Sequence, residues 1–486
     1  MLASLVGVQA ASGLLLRGAG DLWAQSAVLL ALIAGLALWI SAGAVRGRLE
    51  LPSRAPAAWA AALSAGAFVS ARFSPVPGYA LPAWAAAAAG LWTIPAATLL
   101  SARARSGVEQ AVRAAAWALV LLAVDQRLHG QPRPPSAFLD HNVFAGAILL
   151  LLPFAARRGD GLLAAGLLLC LWWTRSVGAW LGLAAALVLH RREVGSFAFW
   201  AGVAAGVIAL GVACAKLQSP EAARWWAWSS SSWRMARDAP WRGLGPGAFV
   251  YALPAYAPAR LPLGETVARQ YFLETAAERG WPYLFLWLGG IAALLRRAPG
   301  SKRFGPVAAL IHGLFGYALS VPGVFWLFCL SISWTLPESD GAVAMRGGRK
   351  LLAALALALC VEAVDWVSGN WEADRLRRQA FAQSARPLSA PAALRLFAAS
   401  EDLRPHPEAA LARAQIEIAL AAGADSLRLL NAAAGDLERA VSLDPYRVSN
   451  WATLEEVYRR LGRPEDAARA RARGARACPS LRAAAA

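Results

Sequence analysis

Apolar runs separated by short polar breaks fill most of the first 367 residues, and after about residue 370 apolar positions recur at helical spacing instead. A membrane span needs about 20 mostly apolar residues, fewer where helices tilt or pack in protein. On that basis the pattern predicts thirteen spans: 2–16, 26–45, 57–72, 80–101, 111–125, 142–156, 161–174, 177–190, 195–215, 282–296, 305–319, 321–336 and 349–367. The first is short and lacks the basic n-region of a cleavable signal peptide, so it reads as a span or as an interfacial helix. With the N-terminus in the cytoplasm, the inside loops hold sixteen Lys and Arg residues and the short outside loops five (Arg17, Arg72, Arg127, Arg133, Arg175). That asymmetry is the positive-inside pattern. It puts two large segments, 216–281 and 368–486, on the extracytoplasmic side.

Composition agrees: of 486 residues, 58% are hydrophobic and 16% charged, which excludes an ordinary soluble enzyme. The net charge of +18 is carried by loops beside spans, so nucleic acid is not the expected partner. Five cysteines lie far apart, with neither disulfide nor metal spacing. Few polar residues interrupt the spans, which argues against a solute transporter.

Residues 368–486 predict a soluble helical domain. Pro445 and Pro479 are 34 residues apart and bracket two amphipathic helices, 447–461 and 464–477, joined at Leu461-Gly462-Arg463-Pro464. This resembles a tetratricopeptide repeat, with Trp451, Leu454, Tyr458, Leu461, Gly462 and Ala467 at packing positions. A less regular unit runs from Pro405 to Pro445, with an insertion near Gly423. So few repeats predict packing on the membrane domain or on a protein partner; an Ala-rich hairpin without a ligand is the plain alternative.

Segment 216–281 is too long for a connector and is dense in arginine, which suits phosphate because a guanidinium donates two parallel hydrogen bonds and keeps its charge. Facing headgroups or local carboxylates is the plain alternative for each arginine. Arg224 to Pro240 predicts an amphipathic helix on the membrane surface, with Trp toward lipid and Arg toward water. Gly243, Gly245 and Gly247 then predict a tight backbone turn, not a nucleotide loop, since no strand precedes them and Pro246 lacks an amide donor.

Here the chain resembles the bacterial O-antigen ligase and O-antigen polymerase superfamily. Arg224, Trp228, Met235, Asp238, Pro240, Gly243, Gly245, Gly247 and Phe249 follow the family pattern with one extra residue between Trp228 and Met235. Ala268-Arg269-Gln270-Tyr271-Phe272-Leu273 with Glu278-Arg279-Gly280 is similar to its Ala-His-Asn-x-Tyr-Leu and Glu-x-Gly. His141-Asn142-Val143-Phe144-Ala145 and His312 with Pro322 are similar to two further motifs. The resemblance covers about residues 30–340 and implies an all-α polytopic bundle of the GT-C kind, of about 12–13 spans, in the bacterial inner membrane.

It also implies transfer of a glycan from an undecaprenyl-diphosphate-linked donor to a glycolipid or protein acceptor, without a cofactor or metal. Arg224, Arg234, Arg242, Arg175 and Arg269 would hold the diphosphate. Two departures stand out: Arg269 replaces the histidine proposed to activate the acceptor, and Val177 stands where an arginine is expected, with Arg175 two residues earlier. Arginine stays protonated and cannot be a general base. Glu278 and His141 are the catalytic candidates for that task, ahead of Glu265 and Glu274. The alternative is an inactive homologue that binds lipid-linked glycan or scaffolds an envelope assembly. His129, His190, His312 and His406 are assigned no chemistry.

Overall fold

A computed structural model describes the chain except for residues 1, 158, 192–194, 216–218, 258–268, 340, 385–388, 422–425 and 479–486. Glu265, Ala268, Gly423 and Pro479 lie outside the described residues.

The protein is helical almost throughout; among the described residues the only ladder pairs β1 (Arg48–Glu50) with β2 (Ala342–Ala344), antiparallel. The helices are α1 Leu2–Leu15, α2 Leu22–Val45, α3 Arg54–Arg72, α4 Pro77–Ala96, α5 Ala102–Leu128, α6 His141–Arg157, α7 Gly161–Thr174, α8 Val177–Leu189 and α9 Ser196–Ala215. Then come α10 Pro220–Asp238, α11 Phe249–Tyr256, α12 Tyr271–Arg279, α13 Trp281–Arg297, α14 Gly300–His312, α15 Pro322–Ser333 and α16 Gly348–Ser384. The C-terminal set is α17 Ala390–Leu403, α18 Pro407–Leu420, α19 Ser426–Leu443, α20 Val448–Arg460 and α21 Pro464–Ala477.

Among the described residues four helices are long and apolar enough to cross a membrane: α2, α4 with its 3-10 extension to Leu99, α5 and α16. Six further apolar helices run 10–17 residues. One predicted span, 305–319, is not a single helix. It stops at His312, turns through Gly313 and Gly316, makes one 3-10 turn at Ala318–Ser320 and restarts at Pro322. Proline at N1 lacks the amide that a continuous helix would need and fits a helix start.

The core centres on α15, whose residues 323–333 are all buried, against α1, α4, α6 and α14. Side-chain-free surfaces allow the close approach: a Cβ on Gly13 or Gly90 would come within 2.8 or 2.6 Å of Trp326 or Phe325. The Trp326 indole then donates to the Ala86 carbonyl at 2.8 Å.

The predicted domain boundary at 367/368 falls inside α16, a single helix of 37 residues and about 55 Å. Its first half packs on α2 and exposes Leu351, Leu355, Leu359 and Val364; its second half carries Glu372, Asp374, Arg375, Arg377 and Arg378. Hydropathy changes there, but helix-forming residues continue across the change. From α16 onward the chain forms packed neighbours α16–α17, α18–α19 and α20–α21. Trp451, Leu454, Tyr458 and Ala467 are buried, and the Trp451 indole donates to Pro445 O at 2.9 Å. These C-terminal helices do not stand apart: His406 meets the Tyr79 ring edge-on at 4.7 Å and Tyr446 lies 6.2 Å from Tyr256.

Candidate functional site

The site is built around α12. After α10 the backbone passes Gly243, Gly245 and Gly247 at φ of +69, +111 and +71°, a path open to glycine at little cost. Within this turn Leu244 N donates to Ala277 O (2.9 Å) and Gly245 N to Glu278 O (2.8 Å), and just past α12 Trp281 N donates to Pro240 O (2.9 Å). A Cβ on Gly243 would lie 2.1 Å from the Glu278 carbonyl carbon, and one on Gly245 would lie 2.4 Å from Ser74 Oγ. The predicted turn is therefore present, and its first two glycines admit protein, not ligand. They clamp the end of α12.

That clamp fixes Glu278. Its Oε1 accepts from Phe249 N at 3.3 Å, its Oε2 lies 3.6 Å from Arg279 Nη1, and its carbonyl accepts from Ser70 Oγ at 2.8 Å. Glu274, one turn earlier on the same face, is also buried. Ser320 donates to its carboxyl group, while Glu274 Oε2 has no hydrogen-bond partner among the described residues. Burial pushes both carboxyls up; the charge of Glu278 pushes Glu274 further, whereas Arg279 and the amides of Gly247 and Phe249 draw Glu278 back down. Desolvation is the largest influence on both, and Glu278 is the member with compensating donors.

Segments distant in sequence meet beside α12. Tyr271 N donates to Gly313 O (2.9 Å) and Gly316 O (3.1 Å), tying α12 to the break after α14. His312 is enclosed by glycines: Cβ atoms on Gly146, Gly178 and Gly316 would approach its ring to 3.2, 3.4 and 3.1 Å. This brings the start of α6, the α7–α8 turn and the 313–317 turn to one end of the bundle. The Tyr317 hydroxyl donates to Asp140, and Arg269 and Glu274 lie within electrostatic range of the same hydroxyl.

The predicted arginines divide into two groups. Arg269 stacks over Trp228 at 4.8 Å, Trp225 Nε1 donates to Arg269 O at 3.2 Å, and Arg224 lies one turn from Trp228 on α10. Arg175 is exposed at the left-handed cap of α7, in the turn that leads to Gly178. Arg234 and Arg242 are elsewhere: Arg234 bonds back to Ser230 O and Ser231 Oγ on its own helix, and Arg242 is exposed, 5.8 Å over the Phe73 ring. His141 is half-buried at the start of α6, its Nε2 3.3 Å from Asn142 Nδ2. Trp226 and Trp233 on α10 and Trp241 just after it are exposed, whereas Trp228 is buried.

Sequence reasoning missed the cavity that the glutamates face. It measures about 640 Å³ and lies between the α4 N-terminus, α12, the α15 N-terminus, the second half of α16 and residues 404–408. Glu274, Glu278 and Arg279 form one wall; Arg377, Arg404 and His406 close it from the C-terminal side. The i, i+4 spacing of Glu274 and Glu278 was the available signal, but nothing in the sequence locates Tyr79 or Arg404 beside them. Among the described residues no group of three or more His, Cys, Asp or Glu side chains stands close enough to hold a metal ion.

No family model matches the chain, and no curated protein matches it.

Proposed function

We propose that the protein is a multi-pass transferase of the bacterial cytoplasmic membrane. It moves a glycan from an undecaprenyl diphosphate carrier to an acceptor hydroxyl on the extracytoplasmic side, like the O-antigen ligases and polymerases it resembles. The observation that carries this reading is the buried Glu274–Glu278 pair, held by the glycine turn at the wall of a cavity, with cationic side chains on its flank.

In the reaction the acceptor oxygen attacks the anomeric carbon as the bond from that carbon to the diphosphate oxygen breaks, and the electron pair leaves with the diphosphate. The hydroxyl proton passes to the carboxylate form of Glu278, which is reached from the cavity. Glu274, whose Oε2 is unmatched, hydrogen-bonds a substrate hydroxyl. Arg224, Arg269 and Arg175 are assigned to the diphosphate, where guanidinium groups stabilise the departing charge. Arg234 and Arg242 come second for that role, since Arg234 bonds to its own helix and Arg242 lies over the Phe73 ring. His141 is the second candidate acceptor.

The thirteen-span topology with N-terminus inside belongs to the same reading, as does the interpretation of α18–α21 as tetratricopeptide-like repeats that meet an acceptor or protein partner. The test is full-length protein in detergent with polyprenyl-diphosphate-linked oligosaccharides, scored for release of free polyprenyl diphosphate. Release that collapses in Glu278→Gln is expected. Binding without release would favour the second reading, a lipid-linked-glycan binding or scaffold protein, for which Arg269 in place of a titratable histidine is the specific argument.

A further inference from the structure

The cavity has properties of its own that the transfer reaction does not require. Its cations face carboxylates: Arg279 stands against Glu278 (3.6 Å) and Arg377 against Asp374 (2.5 Å), Arg404 lies 3.6 Å from Asp365 outside the lining, and Glu408 adds a further carboxyl group. Among the described residues no lining arginine lacks an acidic neighbour, so the cavity is poorly suited to a diphosphate, which takes several cations at once. Hydrogen-bonding capacity is nevertheless unspent. Tyr79 Oη, Glu274 Oε2, Arg279 Nε and Arg404 Nε are all buried, and none has a hydrogen-bond partner among the described residues. Buried polar atoms left unmatched cost roughly 1–3 kcal/mol each, so four around one cavity point to a ligand that satisfies them. The set mixes donors with groups that both donate and accept. Aromatic faces surround it: Tyr79 stacked on Tyr251 at 3.4 Å, with Tyr271, Tyr283 and Trp366 also lining the space.

We propose that this cavity binds a short neutral oligosaccharide, and that the C-terminal helices, through Arg404 and His406, form the part of the site that selects it. Sugar hydroxyls donate and accept at once, which matches the unspent groups, and sugar C–H faces pack on aromatic rings. The volume falls within the roughly 300–1,000 Å³ of small-molecule sites and holds about two or three sugar rings. Glu274 borders both this cavity and the Tyr317–Asp140–Arg269 cluster, so a sugar seated here leaves its reducing end toward the arginines. Only that last step, which makes the bound sugar a reactant, rests on the transferase reading.

The experiment is calorimetric titration of the full-length protein, in a zwitterionic detergent because glycoside detergents would compete. The probes are neutral di- and trisaccharides containing galactose, mannose, glucose or N-acetylglucosamine, with inorganic pyrophosphate and a sialylated trisaccharide as charged counterparts. At least one neutral probe is expected to bind with a dissociation constant below about 10 mM, with pyrophosphate failing to displace it. Tyr79→Phe and Arg404→Gln should each weaken binding about five- to tenfold, since each removes one hydrogen bond. Monodispersity and an unchanged melting temperature verify that the variants fold. The proposal is overturned if no neutral probe binds, if pyrophosphate competes, or if both folded variants bind as the parent does. Unchanged binding in Arg404→Gln alone removes the selecting role of the C-terminal helices. Saccharide binding without release of polyprenyl diphosphate would leave this proposal standing and remove the transferase; release without saccharide binding would do the reverse.

Discussion

Two glutamates on one helix face differ because their surroundings differ. Glu278 receives the Phe249 amide and lies near Arg279, whereas Glu274 has one hydroxyl donor, a like charge one turn away and an unmatched oxygen. Burial pushes Glu278 above its ordinary value of 4.5, so the form that accepts a proton is lost as pH falls through that raised value. The rate of polyprenyl diphosphate release should fall toward low pH with its midpoint above 4.5. In Glu278→Gln it should drop by about 10²-fold or more. A midpoint at or below 4.5 would sink the buried-base role. The glycines give a second residue-scale contrast. Gly243 and Gly462 share φ of +69°, but a Cβ at 243 would collide with Glu278 and one at 462 would meet nothing within 4 Å. Gly462→Ala should cost only the backbone strain, about 1–2 kcal/mol in thermal or denaturant unfolding. Gly243→Ala should abolish release as well, because α12 must move; an active Gly243→Ala variant would mean the clamp does not hold Glu278.

At the scale of elements, apolar runs located the helices well and their ends poorly. The run 111–125 is the middle of α5, which spans 102–128, and the run 349–367 is half of α16. Hydropathy reports where side chains leave apolar surroundings; Arg103, Arg105 and Glu109, or Glu372 and Arg375, are good helix formers, so the backbone continues past that point. Site legibility followed the same division. Spacing made the turn at Gly243, Gly245 and Gly247 readable, since a turn is local, whereas Glu278 was singled out through the family resemblance. The packing of Arg234 and Arg242 was not readable, because charge density along the chain does not say which way a side chain packs.

The C-terminal helices carry an element-scale prediction. Glu417 is pushed up to about 7, chiefly by burial and then by the charge of Asp436, and Asp444 is pushed up to about 6 by burial. Acids that hold protons more tightly when folded stabilise most below their unfolded values, and that contribution disappears as pH rises through the folded ones. The melting temperature of the full-length protein should therefore decline from about pH 5 to pH 8, and Glu417→Gln should flatten the decline. A midpoint that climbs across this window, or an unaltered slope in the variant, would contradict the buried position of Glu417.

For the whole molecule, the decisive quantity is which side of the membrane each end of the bundle faces. The cavity needs both membrane helices and C-terminal helices, so it exists only if the end of α16 and the 243–280 segment share one side. Basic residues argue for the outside: sixteen lie in the loops assigned to the cytoplasm and five in the short outside loops. Single cysteines can report this, because Cys170, Cys329, Cys360 and Cys478 are buried and Cys214 is exposed and removable as Cys214→Ala. Ser442 in α19 and Arg103 at the start of α5 are both exposed and belong to opposite predicted sides. In right-side-out membrane vesicles an impermeant maleimide should label Ser442→Cys at once and Arg103→Cys only after detergent is added. Labelling in the opposite order would put the carboxylate pair in the cytoplasm, where the proposed lipid-linked donor presents no glycan to it. Equal labelling of both would mean that the two ends of the bundle share a side, and that an odd number of helices between them does not cross.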